Sequence, residues 1–187
     1  MNYAVIDIET TGLNPHQHEI IEIAILTKEE TYYAKVIPIN IEYANPIALK
    51  INGYNEKDWY DAVPARDVAI RSAKMLDGKI IIGHNPSFDM SFLCELWELY
   101  ECKPYVDRRY IDTIVLAREH LPKCRSYSLD NIRKYLGWSL DGNHTAIIDA
   151  QDTERLYHVL WKCNVFKRWY FVIRAWFAAW IGKRLQM

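Results

Sequence analysis

Paired cysteines are the first thing this sequence lacks. Its four cysteines, Cys94, Cys102, Cys124 and Cys163, include no C-x-x-C pair. That pattern argues against a zinc site and against a disulfide framework, and it fits a reduced, cytoplasmic setting. A leader is not expected either, because a strand pattern begins at Tyr3 and Asp7 interrupts the early apolar run. No stretch is long enough to cross a bilayer. The nearest, from Trp169 to Ile181, has thirteen residues and includes Arg174, against the roughly 20 apolar residues a spanning helix needs. Internal repeats, low-complexity segments and a clear domain linker are missing too. Acid is missing from the end of the chain: seven bases and no acid follow Glu154, so a net charge of -1 divides into a -8 body and a +7 tail. Such asymmetry points to a polyanion or a membrane surface as a contact.

What remains is a chain of 187 residues, half of them hydrophobic, which suits one domain with a sizeable core. Strand patterns cover about Tyr3–Glu9, Glu19–Thr27 and Thr31–Pro38, joined by the short polar links "NPHQH" and "KEE" that suit antiparallel neighbours. In "EIIEIAIL", Ile21, Ile23 and Ile25 alternate onto one side. A helical pattern follows from about Ala65 to Leu76, and "KIIIGHN" reads as a buried, parallel strand. Ser87–Glu101 has helical spacing, with Phe88, Phe92, Leu96 and Leu99 on one stripe. A strand near Arg109–Asp112 and helices over Thr113–His120, Leu129–Tyr135 and Thr145–Trp161 complete the pattern, with Ser128 as a helix cap. Hairpin strands followed by strand–helix alternation predict an α/β fold. Its mixed sheet is flanked by helices, antiparallel strands first and parallel ones after.

Three segments carry acids in unusual places. In "YAVIDIETTGL", side chains two apart share a face, so Asp7 and Glu9 lie with Val5, and Ala4, Ile6 and Ile8 lie opposite. Alone, such a pair fits an edge strand with one wet face; it also fits a metal site. In "GHNPSFDMSFL", Asp89 falls in the first turn of a helix, where it can serve the helix dipole or a site at the end of a strand. In "DGNHTAIIDAQDTERL", His144 and Asp149 are five apart, about 500° around a helix. They can meet only if His144 sits in the loop before the helix, with Thr145 as cap. Asp152 competes with Asp149 for a ligand role.

In this order the three segments resemble the DEDDh family of 3′–5′ exonucleases, which includes polymerase proofreading exonucleases, RNase T and oligoribonuclease. The resemblance runs from about Tyr3 to Leu160 and extends to "HEIIEIAIL", "ALKINGY", "IDTIVLAREHLP" and "SYSLDNIRKYLG". It implies an RNase H-like, five-stranded mixed sheet and an exonuclease domain over residues 1–163. It also implies two Mg²⁺ or Mn²⁺ ions held by Asp7, Glu9, Asp89 and Asp149, whose hard oxygens suit these cations. By the same resemblance Asp7 bridges both ions, Glu9 and Asp149 help hold the ion that binds the attacking water, Asp89 acts through ordered waters, and His144 takes the water's proton. Backbone groups of Thr10, Thr11 and Gly12 would hold the terminal nucleotide, Leu13 would wedge between the last two bases, and Asn85 and Phe88 would line the nucleotide pocket. The expected substrate is a nucleic-acid 3′ end. DNA is favoured over RNA because "ALKINGY" leans toward the proofreading side, and a replication or repair protein is a natural partner. An RNA-trimming or oligoribonucleotide-degrading enzyme is the alternative. A non-catalytic binding module is the alternative of another class, though a pure binder has no need of four converging acids. His84 is read as structural, and Asp112, Asp130 and Asp141 are not read as ligands. The tail, residues 164–187, places Val165, Trp169, Val172, Trp176 and Trp180 at helical spacing among bases. It is read as a final helix packed on the domain with some contact to substrate, ahead of a docking helix or a membrane-surface helix.

Overall fold

The central strand β1 (Tyr3–Thr10) pairs antiparallel with β2 (Ile20–Thr27), and β2 pairs antiparallel with β3 (Thr31–Lys35). On its other side β1 pairs in parallel with β4 (Ile80–Gly83), which pairs in parallel with β5 (Ile111–Asp112). The sheet order is β3-β2-β1-β4-β5 in a computed structural model that describes residues 2–106, 110–140 and 144–161. Parallel neighbours need long crossovers. Helix α2 (Ala65–Leu76) returns the chain to β4, and α3 (Pro86–Leu99) carries it on to β5. Strand β3 stops short of Pro38. Val63 captures the chain there: its N–H donates to the Lys35 carbonyl, and its own carbonyl accepts from Ile37.

The alternation in β1 sorts two cores. Ala4, Ile6 and Ile8 pack with α2 and α3 through Val68, Leu76, Leu93 and Trp97. Val5 packs on the other face with α4 (Thr113–His120), α5 (Leu129–Leu136) and α6 (Ala146–Trp161) through Leu116, Ile132, Ala150 and Leu156. The alternation in β2 is broken, because Glu9 pairs with Glu22 but Thr10 pairs with Ile20. Ile21 is therefore the extra residue of a β-bulge. Ile20, not Ile21, joins Ile23 and Ile25 in the first core.

Helix α3 buries a different stripe from the one its apolar spacing picks out. Pro86, Asp89, Met90, Leu93 and Trp97 face inward along with Phe92, while Leu99 is 70% exposed. The Trp97 indole decides the rotation: its N–H donates to Ser72 Oγ of α2 at 2.9 Å, deep in the core. A short helix, α1 (Pro46–Ile51), occupies part of "ALKINGY", where the sequence showed no clear pattern; Asn45 caps it by accepting from the Ile47 N–H. Ser128 stands at the N-cap of α5 but makes no capping bond, and its hydroxyl instead accepts from the Asn131 amide. Residues 107–109, 141–143 and 162–187, which take in the start of the expected fifth strand and the expected final helix, lie outside the described residues. Among those described, no helix is long and apolar enough to cross a membrane.

The Ser72–Trp97 bond makes a test of this packing. Ser72→Ala leaves a buried indole N–H without its acceptor, a loss of about 1–3 kcal/mol. Urea unfolding should show a lower midpoint with an unchanged slope.

Candidate active site

Asp7 and Glu9 project from the C-terminal half of β1 on the α6 side of the sheet. Strand β4 ends at Gly83, where a tight turn leads into α3; a Cβ at Gly83 would lie 2.7 Å from the Pro86 ring. Ladder pairing between β1 and β4 stops at Val5. The N–H of Ile8 is free of it and donates to Asp89 Oδ1 at 3.1 Å. Asp89, buried in the first turn of α3, is thereby fixed against the strand that carries Asp7 and Glu9.

The other half of the site comes from α6. His144 has φ of 62°, a left-handed turn that sets its ring ahead of the helix. Glu9, His144 and Asp149 each bring one ligand-capable atom within 4.8 Å of the others. Asp152 is outside this group. It accepts from Arg133 Nε at 2.6 Å, while Asp149 accepts from Arg133 Nη2 at 2.6 Å. Asp130, read from sequence as a plain helix first-turn acid, accepts from Arg133 Nη1 at 3.2 Å and stands 3.7 Å from His144 Nε2. The His144 side chain is 45% exposed, so it faces both the acids and solvent.

Two residues at this site escape a reading by motif. Arg133 is completely buried. Its only signal is position, since it shares the apolar stripe of α5 with Leu129, Ile132 and Leu136. Glu22 is buried opposite Glu9, and its Oε2 accepts from the Ala146 N–H at the start of α6. Its signal is cross-strand pairing with Glu9, which appears only once the hairpin register is known.

The loop after β1 is tightly made. Thr10 Oγ1 donates to the Gly12 carbonyl at 2.6 Å, and Thr11 exchanges bonds with Glu19 through both its N–H and its hydroxyl. The Thr10 carbonyl accepts from the Asn52 amide, and the Thr11 carbonyl from the Asn45 N–H. At Gly12 any Cβ would lie 2.2 Å from the His18 ring. Leu13, next in line, is 80% exposed. Asn85 is exposed at the N-cap of α3 with φ of 73°, and its N–H donates to Asp112, which caps α4. Phe88 is partly buried against Phe92. His84 contacts Thr113 and the Tyr127 carbonyl through its two ring nitrogens, and burial lowers its pKa, as a structural histidine requires.

Electrostatically the site is an acid cluster short of positive charge. Burial pushes the Glu9 carboxyl up to about 8, helped by Asp149, Glu22 and Asp89. Burial also pushes Asp89 up to about 7 against the Ile8 hydrogen bond. Asp7 is raised well above the carboxylate range by burial and then by Asp89, Asp149 and Glu9, with Arg133 opposing. Asp149 is raised by burial and lowered by Arg133. Burial and mutual repulsion both favour the neutral acids, and a hard divalent cation among these oxygen donors would offset both. The sign of the linkage follows from these shifts. Glu9 and Asp89 hold protons when folded at pH values where the unfolded chain, with ordinary values of 4.5 and 3.8, has lost them. Their contribution to stability is complete below the unfolded values and is lost as pH rises through about 7 to 8. Metal-free protein should therefore melt at a lower temperature at pH 8.5 than at pH 6, and saturating Mn²⁺ should largely remove that difference. A flat profile in EDTA, read by differential scanning fluorimetry, would count against the acid cluster.

Residues 4–157 match the model of the RNase_T exonuclease family. A DNA polymerase III PolC-type protein of Thermotoga petrophila is 32% identical over 158 residues, covering 83% of this chain. Its counterpart in Streptococcus pyogenes is 29% identical over 163 residues, covering 86%. The chain spans only 11% of the length of either polymerase. Escherichia coli Exonuclease I in complex with a dA16 oligonucleotide superposes with a TM-score of 0.75 at 18% identity, over 90% of this chain and 42% of that one. Apo Exonuclease I gives 0.72 over 90% and 44%. The five-stranded mixed sheet is thus the RNase H-like one. With residues 4–157 matched, the chain belongs to the RNase_T exonuclease family.

Proposed function

We propose that the chain is a 3′–5′ exonuclease acting on DNA ends, releasing nucleoside 5′-monophosphates, in a cytoplasmic setting and beside replication or repair proteins. The observation that carries this reading is the meeting of Glu9, His144 and Asp149 within 4.8 Å, beside Asp7 and buried Asp89. Asp7, Glu9, Asp89 and Asp149 would hold two Mg²⁺ or Mn²⁺ ions, which when bound neutralise the phosphate and favour in-line displacement.

The protein's own groups do the rest. His144, half in solvent, takes a proton from the attacking water and faces Asp130, whose carboxylate supports the imidazolium that forms. Gly12 leaves room for the His18 ring that packs against the loop, its backbone would hold the terminal nucleotide, and the exposed Leu13 would separate the last two bases. Phe88 offers an aromatic face to a base, and Asn85 lines the same pocket. Thr10 and Thr11 serve through the loop they lock in place. DNA is favoured over RNA by the PolC-type relatives and by the oligonucleotide in the Exonuclease I complex. The tail from residue 164 is proposed as a helix packed on this domain with some substrate contact.

His144→Ala should lower turnover by about 10²–10⁴-fold, while calorimetry shows Mn²⁺ still bound. Loss of metal binding in that variant would move His144 from proton transfer to ligation. Single strands labelled at the 5′ end should shorten one nucleotide at a time in Mg²⁺ and not at all in EDTA. A 3′-phosphate should slow the reaction sharply. Cutting of circular single strands would indicate an endonuclease, and faster loss of matched RNA would reverse the substrate preference.

A further inference from the structure

Arg133 is the least expected group in the molecule: a guanidinium with no solvent exposure, on the apolar stripe of a surface helix. Its donors fan out to three carboxylates. Nη2 meets Asp149 Oδ1 at 2.6 Å, Nε meets Asp152 Oδ2 at 2.6 Å, and Nη1 meets Asp130 Oδ1 at 3.2 Å. The second oxygen of Asp130 lies 3.7 Å from His144 Nε2. One planar cation thus touches the acid nearest Glu9 on α6 and, through Asp130, the proposed general base.

We propose that Arg133 is a positioning residue that aims Asp149 and His144 together at the divalent site. The proposal rests on the two-cation reading above. Asp149 commits Oδ1 to Arg133, which leaves Oδ2 for a cation. Asp152 holds the guanidinium at Nε, so its plane, and hence the Asp149 rotamer, is set in part by a partner that lies outside the Glu9, His144 and Asp149 group. Orientation of a ligand by a hydrogen-bonded neighbour is a general way of tuning affinity. A buried counter-ion could also act by charge alone, and the two roles differ in what lysine can replace. Lysine keeps the charge but offers a point donor on a flexible stem and cannot span three carboxylates in a plane.

The test uses Arg133→Lys in the full chain. Calorimetric titration of metal-free protein with Mn²⁺ should show binding weakened by about 10–100-fold, with kcat lowered as well. Affinity equal to the native protein's would reduce Arg133 to a counter-ion and overturn the proposal. If the lysine variant does not fold, native protein labelled with ¹⁵N-arginine decides. A protected guanidinium Nη signal should be present without metal and persist in saturating Mg²⁺. Its collapse on Mg²⁺ addition would mean that the cation displaces Arg133 from Asp149, and would overturn the proposal. Native protein that binds no Mn²⁺ and hydrolyses nothing in Mg²⁺ would instead remove the two-cation reading itself. That outcome is separable, because the metal-free Arg133 signal does not depend on it.

Discussion

Repulsion among carboxylates withdrawn from water is the constraint around which this molecule is arranged. Charges of one sign on a buried strand are costly unless something positive meets them. The topology prepares that meeting at the C-terminal ends of two interior strands. Strands β1 and β4 run parallel, so their C-terminal ends lie side by side, and α3 starts directly from β4. Asp89 and Asp149 both ride in the first turns of helices, where the helix dipole eases a negative charge. Among the described residues the Arg133 guanidinium supplies part of the compensation. The oxygens that remain are of the kind that suits hard divalent cations.

The burden of holding the site falls on α6, which is pinned at three levels. Glu22 takes the first N–H of the helix. Arg133 grips Asp149 and Asp152 a turn further on. Near the far end, the Tyr3 hydroxyl donates to Glu154 at 3.4 Å and contacts His158 Nε2 at 3.2 Å. Each pin reaches a different element, so α6 cannot slide on the sheet without breaking bonds to β2, α5 and β1 together. The opposite layer is anchored by apolar packing and by the buried Ser72–Trp97 bond.

Much of this was legible in the sequence, and the gaps have physical causes. Strand alternation assigned the faces of β1 correctly, because both faces of a central strand are packed and period two is enforced on each. It failed in β2, where a bulge shifts the phase by one residue and periodicity has no means of seeing it. The apolar stripe of α3 was misplaced because a tryptophan with a polar partner outranks an exposed leucine in fixing the helix rotation. Glu9, His144 and Asp149, which the structure brings within 4.8 Å of one another, come from three places that spacing and resemblance had marked, one near the end of β1 and two at the start of α6. Arg133 could not be marked in this way, because a basic residue three positions after an acid on a helix is ordinarily a surface pair. Only the tertiary contact of α5 with α6 makes it an interior one.

The bulge at Ile21 also bears on which changes of length the chain can absorb. It lets β2 carry one more residue than β1 across the stretch that ends in Thr10 and Thr11. Replacing Ile21 with another apolar side chain alters volume at a buried point and leaves the ladder as it is. Deleting it would leave Glu9 opposite Glu22 and Thr10 opposite Ile20 in an unbroken ladder, but it would remove the carbonyl that accepts from the Val36 N–H and the Trp59 indole. A loss of length at this point would therefore be felt at Val36 and Trp59, which hang on the bulge carbonyl, rather than in the face that Ile20 presents.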